Sequence, residues 1–442
     1  MSRTACFQYR KAIQQIATNS LSLSLITIHP IIQNTIYVGI IQCYDSHTMS
    51  NQPQKFPDDL DPIGVYIHIP FCMTRCNYCG FVSYTSDTML ENLYIDALTR
   101  EIQHLDSSPV LISGSFPKKV DSIYFGGGTP SVLDPNTFGR LLRSVSETLI
   151  PTNPIEITIE VNPGTYGKDK LDVLRGTGIT RLSIGAQSLN DSELQKMGRS
   201  HSSRDFTNLY SAARSAGFEN ISVDLLAGYP GQTIKSIMKS VKGIIELEPD
   251  HISVYLLEIK TGSPLERDSR NGGLRLLDDD VLADIYETIC SKIQESGFQQ
   301  YEISNFSKKG MESRHNMKYW SDKIFLGLGL AAHGMTGRAR YSNIVDLEKY
   351  LEITAHGGPL IDSFTDMDAL TRFKDAMIMG LRLTDGVDLE LMGDYYGFDA
   401  YSFVDESLHD LKSAGLYEIH KNMIRLTPRG RLLSNIVFSH FL

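Results

Sequence analysis

The sequence has little cysteine, a single tryptophan and no excess of positive charge. Six cysteines in 442 residues are too few for a disulfide framework, which indicates a reducing compartment. The formal net charge of −10 argues against a nucleic-acid partner, because contacts to phosphates need clustered lysine and arginine. The hydrophobic fraction of 41% and the charged fraction of 21% are ordinary for a globular protein. At this length we expect two or three domains.

The first 48 residues lack an uninterrupted apolar run, which argues against a membrane span. They are rich in serine and threonine and contain one acidic residue, a composition typical of a transit peptide. The alternative is that translation begins at Met49, because strand-forming sequence follows soon after it. We favour the start at Met49 and a cytoplasmic protein. If residues 1–48 are a transit peptide, the location is mitochondrial.

Three of the cysteines lie in one short loop. Cys72, Cys76 and Cys79 form a C-x3-C-x2-C pattern after an apolar run, Val65–Ile69, that predicts a strand. A cubane iron–sulfur cluster usually takes four thiolates, so three from one loop leave one iron with an open position. The alternative is a structural zinc site completed by His68. Zinc sites usually use paired C-x2-C knuckles, and the sequence has no second pair.

Strand and helix patterns alternate after this loop. One helix is predicted to begin with Asp134 as N-cap and Pro135 in its first turn. Such alternation predicts a parallel sheet with right-handed crossovers, either open or curled as a partial barrel. The predicted strands are Val65–Ile69, Val120–Phe125, Glu156–Val161, Arg181–Gly185, Ser222–Leu226 and Ile252–Leu257.

Polar residues fall at or near the ends of these predicted strands, where such folds bind ligands. The glycine triplet 126–128 follows the second strand, and glycines let backbone N–H groups approach a ligand closely. Glu160 ends the third predicted strand, Gln187 follows the fourth and Asp224 lies in the fifth, while Arg199 lies between the fourth and the fifth. The plainer interpretation is that the glycines form only a turn and that each polar residue is solvated or caps a helix.

The stretch Tyr66-Ile-His-Ile-Pro-Phe-Cys72, together with the cysteine spacing, resembles the radical S-adenosylmethionine (SAM) superfamily. Within it, the stretch is similar to the branch of oxygen-independent coproporphyrinogen oxidase (HemN) and the HemW heme chaperones. The resemblance implies an α/β fold, a partial (β/α)6 barrel with a C-terminal winged-helix-like α+β domain. It also implies a [4Fe–4S] cluster on Cys72, Cys76 and Cys79, with SAM chelating the open iron. Positions that match the SAM pocket of the family are Tyr66, Tyr78, Gly127, Gly128, Thr129, Glu160, Gln187, Arg199 and Asp224.

The single tryptophan belongs to a second pattern. His315, Asn316, Tyr319 and Trp320 form H-N-x-x-Y-W, which looks like the signature of the HemW branch. The resemblance implies that His315 contacts heme. Imidazole is a common axial ligand of heme iron, and aromatic rings suit the face of a porphyrin. The alternative is that these residues only pack the barrel mouth shut. The segment 327–333 resembles a family glycine loop that lines the same mouth.

The last eighty residues predict a separate unit. Helical patterns at 367–383, 389–395 and 403–414 precede a predicted hairpin and a final helix after Thr427. This order resembles a winged helix, and because nothing in it is strongly basic we expect a lid or docking module. The predicted domains are an N-terminal extension, a radical SAM core, a barrel extension and this unit, at residues 1–60, 61–270, 271–360 and 361–442.

One position distinguishes the HemN-type oxidases from the HemW chaperones. HemN-type oxidases carry a fourth cysteine two residues after the third, and this sequence has Phe81 there, although Gly80 matches the oxidase. Together with H-N-x-x-Y-W, this favours a heme chaperone that binds heme and passes it to an acceptor protein. We assign no catalytic residue, and whether the protein is an enzyme stays open. The alternatives are an oxygen-independent coproporphyrinogen III oxidase and a SAM-binding barrel whose cluster is structural.

The partners implied are heme and a heme-acceptor protein. An electron donor of the flavodoxin or ferredoxin type is a further candidate, because the cluster of this superfamily works reduced. If the acceptor is membrane-bound, peripheral association with a membrane is expected.

Overall fold

The computed structural model describes residues 61–108, 118–271, 274 and 276–442. The N-terminal extension, and with it the predicted transit peptide and the start at Met49, lies outside these residues. Within these residues, Cys72, Cys76, Cys79 and Cys290 form no disulfide bond. No helix in this part of the chain is long and apolar enough to cross a membrane.

One large sheet organises most of the described chain. Its central strands β1, β4, β5, β6, β7 and β8 are parallel neighbours in chain order, as the alternation predicts. Strand β11 lies parallel to β1 on its other side, and antiparallel strands extend both edges. Two short strands, β2 and β3, pair separately. The strands are β1 (Ile63–Ile69), β2 (Phe71–Cys72), β3 (Tyr84–Thr85), β4 (Lys119–Gly127), β5 (Ile150–Val161), β6 (Arg181–Gln187), β7 (Asn220–Ala227), β8 (His251–Leu256), β9 (Gln299–Gln300), β10 (Asn305–Ser307), β11 (Phe325–Leu328), β12 (His333–Met335), β13 (Ala339–Asn343) and β14 (Ile361–Asp366).

Helices connect the parallel strands and cover the sheet. The predicted cap is confirmed: Asp134 accepts a hydrogen bond from the Asn136 backbone N–H, and Pro135 begins the helix. All seven residues of β1 are buried, as expected for a parallel strand covered on both faces. The helices are α1 (Thr88–Gln103), α2 (Pro135–Thr148), α3 (Lys168–Gly176), α4 (Asp191–Lys196), α5 (Ser203–Ser215), α6 (Ile234–Ile245), α7 (Pro264–Arg270), α8 (Asp279–Glu295), α9 (Arg314–Trp320) and α10 (Leu347–His356), with short 3₁₀ turns at Leu105–Ser107 and Pro130–Val132.

The C-terminal unit is a small α+β structure, in agreement with the winged-helix-like prediction. Its three-stranded sheet has the order β15-β17-β16. The predicted helix 403–414 is two elements, because α13 ends at Ser407 and a 3₁₀ turn follows. The elements are α11 (Ala369–Gly380), β15 (Val387–Asp388), α12 (Leu389–Tyr396), α13 (Ala400–Ser407), a 3₁₀ turn (His409–Ala414), β16 (Tyr417–His420), β17 (Met423–Leu426), α14 (Pro428–Leu432) and α15 (Ser434–Ser439).

Short antiparallel strands extend the edges of the large sheet. Between α8 and α9, β9 and β10 flank a buried turn containing Glu302. Strand β14, which begins at Ile361, pairs with β13. Antiparallel pairing at a sheet edge depends on partners that are distant in sequence, so local patterns do not predict it.

Helix α9, which carries H-N-x-x-Y-W, does not lie at the mouth expected from the sequence. Glu156 accepts hydrogen bonds from the backbone N–H groups of Arg314 and His315, both at 3.1 Å. The Lys318 ammonium group donates to the carbonyl oxygen of Pro62, just before β1, at 2.8 Å. These contacts lie toward the amino ends of the parallel strands. The helix therefore packs at the amino ends of the strands, at the opposite end from the cysteine loop.

Candidate functional site

A cavity begins at the carboxyl ends of the parallel strands and continues inward to α9. The three loop cysteines line its outer end, and Trp320 and Arg382 line its inner end. Every residue that the sequence assigned to the cluster or to SAM lines this one cavity. These are Cys72, Cys76, Cys79, Tyr66, Tyr78, Gly127, Gly128, Thr129, Glu160, Gln187, Arg199 and Asp224.

The cysteine loop is held by Asn77. The Asn77 side chain donates to the Lys196 carbonyl oxygen at 2.6 Å and to the Tyr229 hydroxyl at 2.8 Å. Its backbone N–H and carbonyl groups bond to Met197 and Leu265, respectively. The loop is thus attached to the segments that follow β6, β7 and β8, although nothing in its local sequence predicts these contacts.

Two donors face the cysteine sulfurs. The Thr129 hydroxyl lies 3.5 Å from Cys72 Sγ, and Arg199 Nη1 lies 3.5 Å from Cys76 Sγ. Burial raises the pKa of the Cys72 thiol and raises that of Cys79 to about 12. These thiols are therefore protonated until a metal centre displaces the protons, which couples metal loading to proton release.

The donor set suits a cluster better than a single zinc ion. Among the described residues, no three His, Cys, Asp or Glu side chains are placed to hold one metal ion. A cubane cluster requires a wider arrangement, because each thiolate binds a different iron. His68, the zinc ligand considered above, is buried, with Nδ1 at 3.1 Å from the Tyr66 hydroxyl and Nε2 at 3.3 Å from the Val82 carbonyl.

Arg199 is arranged to receive an anion. Its Nη2 donates to Asn162 Oδ1 at 2.5 Å and to the Gly185 carbonyl at 3.0 Å. Its Nε is buried and has no hydrogen-bond partner in the part of the chain that the structure describes. A buried N–H of this kind suits a carboxylate oxygen, such as that of SAM. Asn162 was missed by the sequence analysis, although it directly follows β5 and the strand-end rule could have found it.

Two carboxylates form the middle of the cavity wall. Glu160 accepts a hydrogen bond from the Tyr124 hydroxyl at 3.0 Å, and Asp224 accepts one from the Ser183 hydroxyl at 3.0 Å. Burial raises the pKa of both groups, that of Glu160 to about 7. Oxygen acceptors at this depth suit an amino group or a ribose diol, which would compensate for their burial.

The glycine triplet is required by packing as well as by any ligand. At Gly127, where φ is +115°, an added Cβ would lie 2.4 Å from the His68 ring. At Gly128 it would lie 2.6 Å from the Phe71 carbonyl oxygen. The turn therefore packs directly against the strand that leads into the cysteine loop.

The inner end of the cavity includes residues that sequence analysis missed. Arg382, from the C-terminal unit, places its guanidinium group 4.4 Å from the centre of the Trp320 ring. It donates to Glu302, whose side chain is fully buried, at 3.3 Å. No signal in the sequence links Arg382 to the sheet, because this segment was assigned to a separate unit.

His315, the heme contact that the resemblance implies, is not exposed. Its side chain is fully buried, with Nε2 at 2.8 Å from the Tyr319 hydroxyl and Nδ1 at 3.2 Å from the Ser122 hydroxyl. Burial lowers its pKa to about 3, so the ring is neutral. Trp320 is buried as well. Neither side chain is therefore exposed to heme in this structure, and a heme contact at His315 stays a prediction.

Comparison with known proteins agrees with the geometry. Residues 66–243 match the radical SAM superfamily, and residues 367–433 match the HemN C-terminal domain. The solved structure of coproporphyrinogen III oxidase (HemN) from Escherichia coli is similar with a TM-score of 0.74 and 25% identity, covering 87% of this chain and 90% of that one.

Relatives of similar length share more of the sequence. Heme chaperone HemW of Bacillus subtilis is 35% identical over 85% of this chain and 98% of its own length. Heme chaperone HemW of Lactococcus lactis is 32% identical over 86% and 97%. The mitochondrial radical S-adenosyl methionine domain-containing protein 1 of Danio rerio is 32% identical over 79% and 80%. The chain therefore belongs to the HemW-like family of the radical SAM superfamily.

Proposed function

We propose that this protein is a heme chaperone, which binds heme and transfers it to an acceptor protein. The proposal is supported chiefly by the likeness to the two heme chaperones HemW over almost their whole length. Phe81, at the position of the fourth oxidase cysteine, lines the cavity beside the cluster loop. A phenyl ring cannot replace a thiol as a metal ligand or hydrogen donor.

The cluster and SAM would occupy the outer part of the cavity. Cys72, Cys76 and Cys79 would hold a [4Fe–4S] cluster, whose open iron would take the amino and carboxyl groups of SAM. Arg199 would bind the carboxylate of SAM through its buried Nε–H. Tyr66, Tyr78, Gly127, Gly128, Thr129, Glu160, Gln187 and Asp224 complete the proposed pocket. When bound, the cluster supplies one-electron chemistry; the residues of this chain orient SAM and exclude water.

Arg199 offers a direct test of the SAM pocket. Arg199→Lys keeps the charge but loses the buried Nε–H, so we expect weaker SAM binding with the cluster retained, measured by calorimetry on anaerobically loaded protein. Arg338→Lys, at an exposed pair with Asp366, is the matched control. Equal SAM affinity in both variants would refute the assignment.

The heme site needs its own test. Heme titration of anaerobically purified protein should give saturable binding at one heme per chain. His315→Ala tests the heme contact: if His315 is a ligand, the heme absorption spectrum changes while the iron content of the cluster stays constant. Because both ring nitrogens already have partners, such ligation requires α9 to move. An unchanged spectrum and affinity would remove His315 from the site but not the chaperone function.

The alternative function is oxygen-independent coproporphyrinogen III oxidase. The likeness to the Escherichia coli oxidase and the deep cavity with polar residues at its inner end favour it. Turnover of coproporphyrinogen III by loaded protein with SAM and a reductant, at the order of 1 per second that enzymes typically reach, would establish it and refute the chaperone proposal. Release of 5′-deoxyadenosine without porphyrin product would indicate SAM cleavage for another purpose.

We further propose the partners that this function requires. They are a heme-acceptor protein, an electron donor of the flavodoxin or ferredoxin type, and a membrane-bound acceptor if association with a membrane is observed. We propose a cytoplasmic location, or a mitochondrial one if residues 1–48 act as a transit peptide. Fusion of residues 1–48 to a fluorescent protein distinguishes the two by microscopy.

A further inference from the structure

Arg181, the first residue of β6, is the largest fully buried side chain of the described residues. Its Nε–H is buried and has no hydrogen-bond partner among them. The guanidinium group also forms no ion pair with any carboxylate in this part of the chain. A buried cation of this kind has lost its hydration without a contact that compensates for the loss, which is costly.

Other buried arginines of this protein have a carboxylate at contact distance. Arg372 pairs with Asp322 at 2.7 Å, and Arg382 pairs with Glu302 at 3.3 Å. Such pairing is the usual condition for burying a guanidinium group. Arg181 is buried at least as deeply as these arginines, so its missing anion needs an explanation.

Asp224 is close enough to feel the charge of Arg181 but is bound by hydroxyl groups instead. It accepts hydrogen bonds from Ser183 at 3.0 Å and from Ser222 at 3.3 Å. Burial raises the pKa of Asp224, and the hydroxyl groups and Arg181 only partly oppose this rise. Asp224 therefore becomes protonated more easily than an exposed aspartate, and its protonated form does not compensate for Arg181.

A second group without a partner adjoins Arg181. Thr158 of β5 is the in-register neighbour of Arg181 and is fully buried. Its Oγ1 has no hydrogen-bond partner in the described ranges. In-register residues of parallel strands point to the same face of the sheet, and the strands lie about 4.8 Å apart. A single small ligand between β5 and β6 can therefore accept hydrogen bonds from both side chains.

The two side chains lie deeper in the fold than the cavity described above. Ser183 and Glu160, two residues further along the same strands, line that cavity, whereas Arg181 and Thr158 do not. On the opposite side, Glu156 of β5 is bonded to the first backbone N–H groups of α9. Because the cavity-lining layer and α9 enclose this place, a ligand there must be small.

We propose that Arg181 and Thr158 bind a small monovalent anion of the halide class, such as chloride. The anion accepts hydrogen bonds from Arg181 Nε–H and from the Thr158 hydroxyl, and its charge compensates for that of the guanidinium group. A water molecule could accept the same hydrogen bonds but brings no charge. A divalent oxyanion such as sulfate would place a second negative charge beside Asp224. The site involves neither heme nor SAM and goes beyond the proposed function.

Anomalous scattering from bromide tests the position of the site. Crystals of the full chain soaked in sodium bromide should show an anomalous peak in contact with Arg181 Nε and Thr158 Oγ1. Crystals of Arg181→Met should lack this peak and keep any peaks at the protein surface. Ordered water only at this place in the wild-type protein, without an anomalous peak, would overturn the proposal.

Thermal unfolding tests the same site in solution. Sodium gluconate replaces sodium chloride at constant ionic strength, because gluconate is too large for an enclosed site. The unfolding temperature of the wild-type protein should rise with chloride and then level off, as binding to one site requires. Thr158→Val, which removes one hydrogen bond to the anion, should need about tenfold more chloride for half of this rise.

Two variants separate binding at the site from a general salt effect. Arg181→Met should show no saturable response to chloride. Arg338→Met, which removes a charge from a pair that is more than half exposed, should respond like the wild-type protein. A response that does not level off, or that is equal in Arg181→Met and wild type, would be a general salt effect and would overturn the proposal. If Arg181→Met does not fold, the wild-type bromide map and Thr158→Val still decide the question.

Discussion

The ion pair between Arg382 and Glu302 joins the C-terminal unit to the large sheet, and its removal should be costly. The side chains are 6% and 0% exposed. Arg382→Met would leave the Glu302 carboxylate buried without its ion-pair partner, although the Ser304 N–H and the Asn305 side chain still donate to it. Breaking a buried pair by removing one partner typically costs about 3–5 kcal/mol. We expect a loss of that size in the free energy of unfolding.

This loss of unfolding free energy can be measured by urea unfolding. The fluorescence of Trp320 reports the transition, because Arg382 covers the ring of this residue. The double variant Glu302→Gln/Arg382→Met should lose less than the sum of the single variants, with a coupling energy of about 1–3 kcal/mol. Arg338→Met is the control, because its pair with Asp366 is more than half exposed and should contribute at most about 1 kcal/mol.

The pH dependence gives the same prediction a second test. Burial already raises the pKa of Glu302, and Arg382 opposes that shift. Without Arg382 the pKa rises further, so the variant gains stability by binding a proton as the pH falls. The deficit of Arg382→Met should therefore be smaller at about pH 5 than at about pH 8. Losses below about 1 kcal/mol, or strict additivity in the double variant, would refute the inference that this pair fastens the two units.

Three further predictions concern the loop, a buried acid and the N-terminus. Cys72→Ala, Cys76→Ala or Cys79→Ala should each prevent cluster assembly, while Cys290→Ala should not; four irons per chain in the triple variant, by iron and sulfide analysis, would contradict this. Burial raises the pKa of Glu101 to about 7 from 4.5, so the stability it provides is lost as pH rises between these values. Glu101→Gln should remove this pH-dependent change in the free energy of unfolding, which is about 3 kcal/mol and is measured by calorimetric melting. An unaltered dependence of stability on pH in the variant would contradict the prediction. Protein started at residue 49 should fold, load the cluster and bind heme like the full chain, and insolubility would show that the preceding segment packs on the barrel.

Much of the fold follows from local patterns in the sequence. The six parallel strands appear as short apolar runs, because a strand covered on both faces buries nearly all of its side chains. Asp134 and Pro135 mark a helix start through contacts within one turn. Residues at or near strand ends reach a single cavity, since the carboxyl ends of parallel strands meet on one side of a sheet.

The placement of α9 and Arg382 depended on the tertiary structure. H-N-x-x-Y-W can be found in the sequence, but its packing toward the amino ends of the strands depends on contacts with distant residues such as Glu156 and Pro62. Arg382 enters the cavity because the C-terminal unit packs on the sheet, and no local rule links residues that far apart. The stacked rings of Tyr66, Tyr124 and His315 have the same origin, since they come from three segments and become neighbours only when the topology brings them together. The local sequence determines which helix or strand each segment can form. The tertiary packing decides which buried groups lie together, and their burial sets their pKa values.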